Sequence, residues 1–424
     1  MQPSEAPFEG RQGLFLDSII VIAVALFASL NLGVGAFLGP TGSNWTLTPI
    51  LVLLSIALLI RLQCVVLEAR SWFFLIFMVA LVSIGAISST FSPYGIEKMQ
   101  TFLIFIILVF CCSSLQYPLI AIRTYLAILC CLSLVATVSV LAFGIESLSG
   151  RVSLDGTNPV GLARLTGLIS VVAVTLLLTR RENKLPTSFL LGISAVLGVL
   201  GIIATGSRGP LLAFALALIC VGVVAIGGKR VNSVALLAVV IATVTITAFL
   251  SQIGFGQISR IFDEDDSGRF LLFSSAADLA GEVPTGLGWG GFSEYAWQWS
   301  SEVGGRLYPH NLVLEFWVEG GLVALVCIVG LLTFTLVQAI RLQVSDEFGY
   351  TGAALLAIYV YSLVNAQFSS DIVGNRLLWS TTALILGIST LLARRRRKNI
   401  PLQGTVVDFE PKTIANNISS RNQS

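Results

Sequence analysis

Apolar runs fill this chain so nearly end to end that most soluble architectures are closed to it. About twelve stretches approach the roughly 20 residues needed to cross bilayer hydrocarbon: Leu14 to Leu38, Trp45 to Ile60, Trp72 to Thr90, Met99 to Leu115, Leu119 to Ile145, Leu162 to Leu178, Ser188 to Ala204, Leu211 to Ile226, Val234 to Leu250, Leu312 to Val337, Tyr350 to Phe368 and Leu377 to Leu392. Charged residues are 11% of the chain and hydrophobic ones 55%, whereas an ordinary soluble domain is about a quarter charged. The expected fold is therefore all-α, a polytopic bundle of about 12 transmembrane helices. The first stretch is long for a cleaved signal peptide, and its flank mixes Glu5, Glu9 and Arg11. It reads as a retained anchor.

Lysine and arginine set the orientation, because short cytoplasmic loops retain them. With the N-terminus inside, the inner loops collect Arg61, Arg70, Arg180, Arg181, Lys184, Lys229, Arg230, Arg341 and the run Arg394 to Lys398. Lys98, Arg151, Arg164, Arg208, Arg260, Arg269, Arg306 and Arg376 fall on the outer side. They run against the positive-inside bias and need another reason to be there. The expected layout is a cytoplasmic N-terminus over 1–13, nine spans over 14–250, an outer loop region with short helices over 251–309, three spans over 310–393, and a basic, disordered cytoplasmic tail over 394–424. All seven cysteines lie within or beside apolar segments, so neither an outer disulfide framework nor a zinc cluster is expected.

Chemistry is sought in the outer half, where three pieces stand out. In "TGSRGP", Thr205 to Pro210, Arg208 lies beside a helix start that Pro210 favours. Free N–H groups, the helix dipole and a guanidinium fork suit a phosphate-type anion there, and an interfacial arginine that contacts lipid headgroups is the alternative. In "DEDDSGRFLLFSSAADL", the Ser-Gly break starts a surface helix near Arg269, which faces the same compartment as Arg208. The carboxylates Asp263 to Asp266 read as solvated, and no metal is assigned to them.

The third piece is "RLYPHNLVLEFWVEGG", which holds the only histidine, His310. A neutral imidazole is the usual protein base near pH 7. Pro309 keeps Tyr308 extended, and the tenth span is expected to begin at His310 or Asn311, which places the ring in the first helical turn. Glu315 and Glu319 lie one turn apart on one face of that helix. Carboxylates at such depth need partners: they orient the imidazole, pair with an outer arginine, or form a structural ion pair between helices. Between the pieces, "PTGLGWGGFSEYAWQWS" is no dinucleotide fingerprint, since no strand precedes it and the spacing is wrong. Its glycines read as a tight loop. Tyr295, Trp297 and Trp299 read as an interfacial belt or as a surface for sugar rings.

Taken in order, "TGSRGP", "SGRFLLFSSA", "PTGLGWGGF" and "YPHNLVLEFWVEGG" resemble the O-antigen ligase and polymerase superfamily of bacterial envelope enzymes, over roughly Thr205 to Gly321. The resemblance implies a GT-C-like, all-helical membrane glycosyltransferase of the bacterial inner membrane. It would work at the periplasmic face on undecaprenyl-diphosphate-linked saccharide, with no metal or other cofactor and no nucleic acid partner. It implies His310 as catalytic base, Arg208 and Arg269 as ligands of the donor diphosphate, and Asn311, Glu315 and Glu319 as supporting residues. The modest outer loop argues against a large appended periplasmic domain. Attack of a sugar hydroxyl on an anomeric carbon needs a base and stabilisation of a departing diphosphate, which fits one histidine and two arginines. Displacement of an α-linked diphosphate inverts the anomeric centre. A lipid A core acceptor would make the protein a lipopolysaccharide ligase, and a second lipid-linked glycan an O-antigen or exopolysaccharide polymerase. A transporter of lipid-linked sugar is the alternative of a different class, and it predicts polar groups near the bilayer midplane.

Overall fold

The computed structural model describes residues 7–32, 42–61, 92–146, 151–155, 157–180, 185–227, 267–296 and 307–398. Its helices are α1 (Pro7–Ser29), α2 (Gly42–Arg61), α3 (Pro93–Ser113), α4 (Pro118–Phe143), α5 (Pro159–Thr179), α6 (Leu185–Ala204), α7 (Arg208–Gly227), α8 (Ser267–Glu282), α9 (Gly291–Ala296), α10 (Leu312–Val344), α11 (Gly349–Phe368) and α12 (Arg376–Lys398). A two-stranded antiparallel hairpin, β1 (Ile145–Glu146) with β2 (Val152–Ser153), follows α4. The all-α membrane architecture expected from the sequence is the one observed.

Among the described residues, eight helices are long and apolar enough to cross a bilayer: α1 from Gln12 onward, α3, α4, α5, α6, α10, α11 and α12 up to Arg395. α2 and α7 carry shorter apolar stretches, Pro49–Arg61 and Arg208–Val224. The expected spans Trp72 to Thr90 and Val234 to Leu250 lie outside the described residues. Cys111, Cys112, Cys130, Cys131, Cys220 and Cys327 are free thiols within the bundle helices.

Local sequence explains where these helices start. α3, α4 and α5 each have a proline in their first turn, where a missing N–H is harmless and φ is already helical. Ser92 and Asn158 cap α3 and α5 by accepting hydrogen bonds from Gly95 N and Val160 N. The bundle is centred on α5 and α11, which are the most enclosed together with α12, whereas α4 and α6 keep broad apolar faces outward. Gly201 lets α6 approach α5 closely, since a Cβ there would sit 2.8 Å from Thr166 Cβ.

Among the described residues, cations from the two sets of loops lie at opposite ends of the bundle. Arg61, Arg180 and Arg395 sit at the end where α1 and α4 begin. Lys98, Arg164 and Arg376 sit at the other end, where α3, α5, α10 and α12 begin and α11 stops.

Candidate functional site

α10 is not one rod. Gly321 has φ 72 and ψ −172, a break inside a 33-residue helix. At about 1.5 Å per residue, the part from Leu322 to Val344 is already long enough for roughly 30 Å of hydrocarbon. The break therefore sets Leu312–Gly320 apart as a short helix at the end of the bundle that carries Lys98 and Arg164.

Breaking a helix frees backbone groups that must find partners, a requirement that is strict in a membrane protein. Here the glycine-rich loop supplies them. Leu287 N donates to Val318 O at 2.9 Å, Gly288 N to Glu319 O at 2.8 Å, and Leu322 N to Pro284 O at 3.0 Å. Gly286, Gly288 and Gly290 have φ of 84, 82 and 86, a region costly for residues with a Cβ. A Cβ at Gly286 would collide with the carbonyl of Glu319. The expected tight loop is thus a docked one. Trp289 holds it from inside: it is fully buried, with ring centroids 4.9 Å from Phe102 and 5.5 Å from Phe316.

Of the three alternatives for Glu315 and Glu319, orienting the imidazole, pairing with an outer arginine or forming an ion pair between helices, the structure has the third, with Lys98 of α3. Lys98 Nζ lies 2.6 Å from Glu315 Oε1 and donates to Glu319 Oε1 and Oε2 at 2.8 and 2.7 Å, all three side chains fully buried. The ammonium also sits 4.2 Å above the Tyr94 ring, a favourable cation–π placement. Each carboxylate takes a backbone N–H as well: Gly290 N donates to Glu319 Oε2 at 3.0 Å, and Ile372 N to Glu315 Oε2 at 2.9 Å. Beside them Tyr94 Oη donates to Asp371 Oδ2 at 2.6 Å. The cluster fastens α3, the first piece of α10, the glycine loop and the turn before α12 to one another. The structural ion pair is the alternative that this geometry matches.

His310 stands one residue outside its expected place. α10 begins at Leu312, and the imidazole is not in its first turn, because Asn311 takes the cap: its side chain accepts from Leu314 N at 2.9 Å. His310 itself has φ 57, the left-handed region, and is half-buried with its ring centroid 4.3 Å from that of Tyr308. Such conformations cost of order 1–3 kcal/mol in residues other than glycine and gather at functional sites. Asn311 Nδ2 reaches across to donate to Gln367 O, at the C-terminal end of α11.

Arg208 is the first residue of α7 and is exposed. Its neighbour Gly209 lies against Phe368, with 3.5 Å between an added Cβ and the Phe368 Cβ. The two segments that carry Arg208 and His310 therefore meet consecutive residues, Gln367 and Phe368, at the end of α11. Arg269 is in the first turn of α8, which starts at Ser267, slightly earlier than expected; its side chain lies outside the described residues. α8 packs through Ala276, Leu279 and Ala280 onto Leu314 and Val318 of α10. Phe292 and Ala296 complete that small core, with Tyr295 partly buried against it. Trp297, Trp299, Arg260, Arg306 and Asp263 to Asp266 lie outside the described residues.

Sequence reasoning missed Lys98 as the partner of both glutamates, and Trp289 and Asp371 entirely. Lys98 left one signal: a lysine in the second turn of an apolar helix, on the side where the loop-charge rule disfavours it.

Residues 193–329 match the family model described as O-antigen ligase. The matched segment contains Arg208, Arg269, His310, Glu315 and Glu319, and it supports the superfamily resemblance read from the motifs. No curated protein matches the chain.

Proposed function

We propose, from the premise that residues 193–329 match the O-antigen ligase family model, that this chain transfers a saccharide from undecaprenyl diphosphate to a sugar hydroxyl of a lipid A core at the periplasmic face. The coarser part of this reading, a membrane glycosyltransferase of the O-antigen ligase type, follows from the family match and the apolar helices. Its finer part rests on one observation: the segments bearing Arg208 and His310 converge on Gln367 and Phe368. In this proposal His310 takes the proton of the acceptor hydroxyl. Arg208, with Arg269 from α8, stabilises negative charge on the departing diphosphate, and the C–O bond to the acceptor forms as the anomeric C–O bond to phosphate breaks. Attack from the opposite face inverts the anomeric centre, and no metal enters the scheme.

The test uses purified protein in nanodiscs with undecaprenyl-diphosphate-linked oligosaccharide and either lipid A core or a second lipid-linked glycan as acceptor. Release of undecaprenyl diphosphate with lipid A core supports the reading, and transfer only to the second glycan makes the protein a polymerase. Movement across the bilayer without bond cleavage makes it a carrier. His310→Asn should lower transfer about a hundred- to ten-thousand-fold while donor binding persists. Wild-type turnover by that variant overturns the role of the imidazole.

A further inference from the structure

The fold gives Arg164 a task that the sequence left open. It lies in the second turn of α5, is 5% exposed, and stands at the end of the bundle where the positive-inside rule disfavours it. Its Nη2 donates to Asn365 O at 2.7 Å and also to Ser369 O. These carbonyls belong to the last turn of α11 and the residue after it, where a cation meets the negative end of the helix dipole; the Asn365 carbonyl accepts the Ser369 N–H at 3.1 Å as well as the guanidinium. The same corner is closed from the other side: Tyr361 Oη donates to the Arg164 carbonyl at 3.1 Å, and Asn365 Nδ2 to Tyr361 O at 2.8 Å.

Between the two carbonyls that Arg164 holds lies Gln367, whose own carbonyl receives the Asn311 amide. Asn311 caps α10 and is bonded through the chain to His310. Among the described residues, the non-glycine residues with left-handed backbone are His310 and Ser370. They sit on the two turns that meet here. Such conformations persist where the surroundings over-determine them: Glu315 accepts Ile372 N further along the turn that holds Ser370, and the guanidinium is the charged group on the α11 side of it.

We propose that Arg164 is a positioning residue for His310, acting through the C-terminal end of α11 and Asn311. This rests on reading His310 as the base of the transfer reaction. Arg164 touches no reacting group. Without it the last turn of α11 loosens, the Gln367 carbonyl drifts, and the cap that sets the imidazole loses its anchor.

Because the chain has one histidine, the imidazole can be followed without a substrate. In nanodisc-embedded full-length protein labelled with ¹⁵N-histidine, Arg164→Met should shift or broaden the single imidazole signal set, as Asn311→Ala does. With undecaprenyl-diphosphate-linked oligosaccharide and lipid A core, it should cut kcat per folded molecule about ten- to a hundred-fold with donor KM within about twofold. Arg164→Lys, which can still reach one carbonyl, should recover part of both readouts. Adding Arg164→Met to Asn311→Ala should cost little more than Asn311→Ala alone, since both sever one path.

An unmoved imidazole signal with unchanged kcat per folded molecule, fully additive single variants, or a raised KM at normal kcat each overturns the proposal. If Arg164→Met does not fold, the Arg164→Lys comparison and its cycle with Asn311→Ala decide in the same way. If His310→Asn retains transfer, the base assignment fails on its own. The imidazole signal then still reports whether Arg164 sets that side chain.

Discussion

A buried ion cluster closes each end of the bundle, and the two are built on different terms. At the end where α1 begins, Arg61 and Asp17 form a one-to-one pair at 2.8 Å, both 2% exposed. Arg61 adds bonds to Ser114 O and Gly13 O, each 2.6 Å, and Asp17 Oδ2 takes Gln116 N and Tyr117 N. Arg395 donates to Gln116 O in the same corner. At the other end one lysine serves two glutamates. The balanced pair ties α1 and α2 to the α3–α4 turn. The carboxylate-rich cluster ties in segments that are not helical, the glycine loop and the turn before α12, and it borders the residues of the proposed site.

That contrast gives a ranked set of outcomes. The largest loss should come from Lys98→Met, which strands two buried carboxylates: about 5 kcal/mol of stability, read as a collapse of the folded fraction in size-exclusion and thermal-melt assays. Asp17→Asn at the opposite end should cost about 3 kcal/mol, because Arg61 loses its counter-charge and keeps only its carbonyl acceptors. Its transfer rate per folded molecule should match the unaltered protein, and a fall in that rate would mean that the two ends are coupled. Glu319→Gln should be the mildest, under about 1 kcal/mol, since Lys98 and Glu315 then make a one-to-one pair and the amide oxygen still accepts from Gly290. Melting of Glu319→Gln as low as that of Asp17→Asn would show that both glutamates are needed, and the comparison would fail.

Much of the architecture was legible because hydropathy writes helices directly. The described helices overlap the apolar stretches, closely for α4 and α11, whereas α3 starts at Pro93 ahead of Met99 and α10 runs on past Val337 to Val344; the described cations from the two sets of loops lie at opposite ends of the bundle. His310, Arg208 and the glycine loop were visible as motifs, because each interrupts apolar sequence with residues that hydrocarbon does not favour. Three things were not legible. The break at Gly321 has the "EGG" run as its only mark, and two adjacent glycines do not say which of them leaves the helix. The cap by Asn311 moved His310 out of the first turn, and a one-residue boundary is beyond what periodicity resolves. Lys98 is more than 200 residues from Glu315 in the chain, so no local spacing could join them. Arg164 was conspicuous for its position, yet its purpose depends on where α11 ends in space.

Over Pro284 to Gly288 the glycine loop meets α10 through peptide groups, Leu287 and Gly288 giving N–H bonds and Pro284 receiving one, while Trp289 and Gly290 meet the Phe316 and Glu319 side chains. Those bonds do not involve the side chains of Pro284 and Thr285, whereas Gly286 has no room for one against the Glu319 carbonyl. Pro284 and Thr285, exposed at its rim, are therefore places where evolution can redraw what the protein meets without disturbing how the broken helix is held.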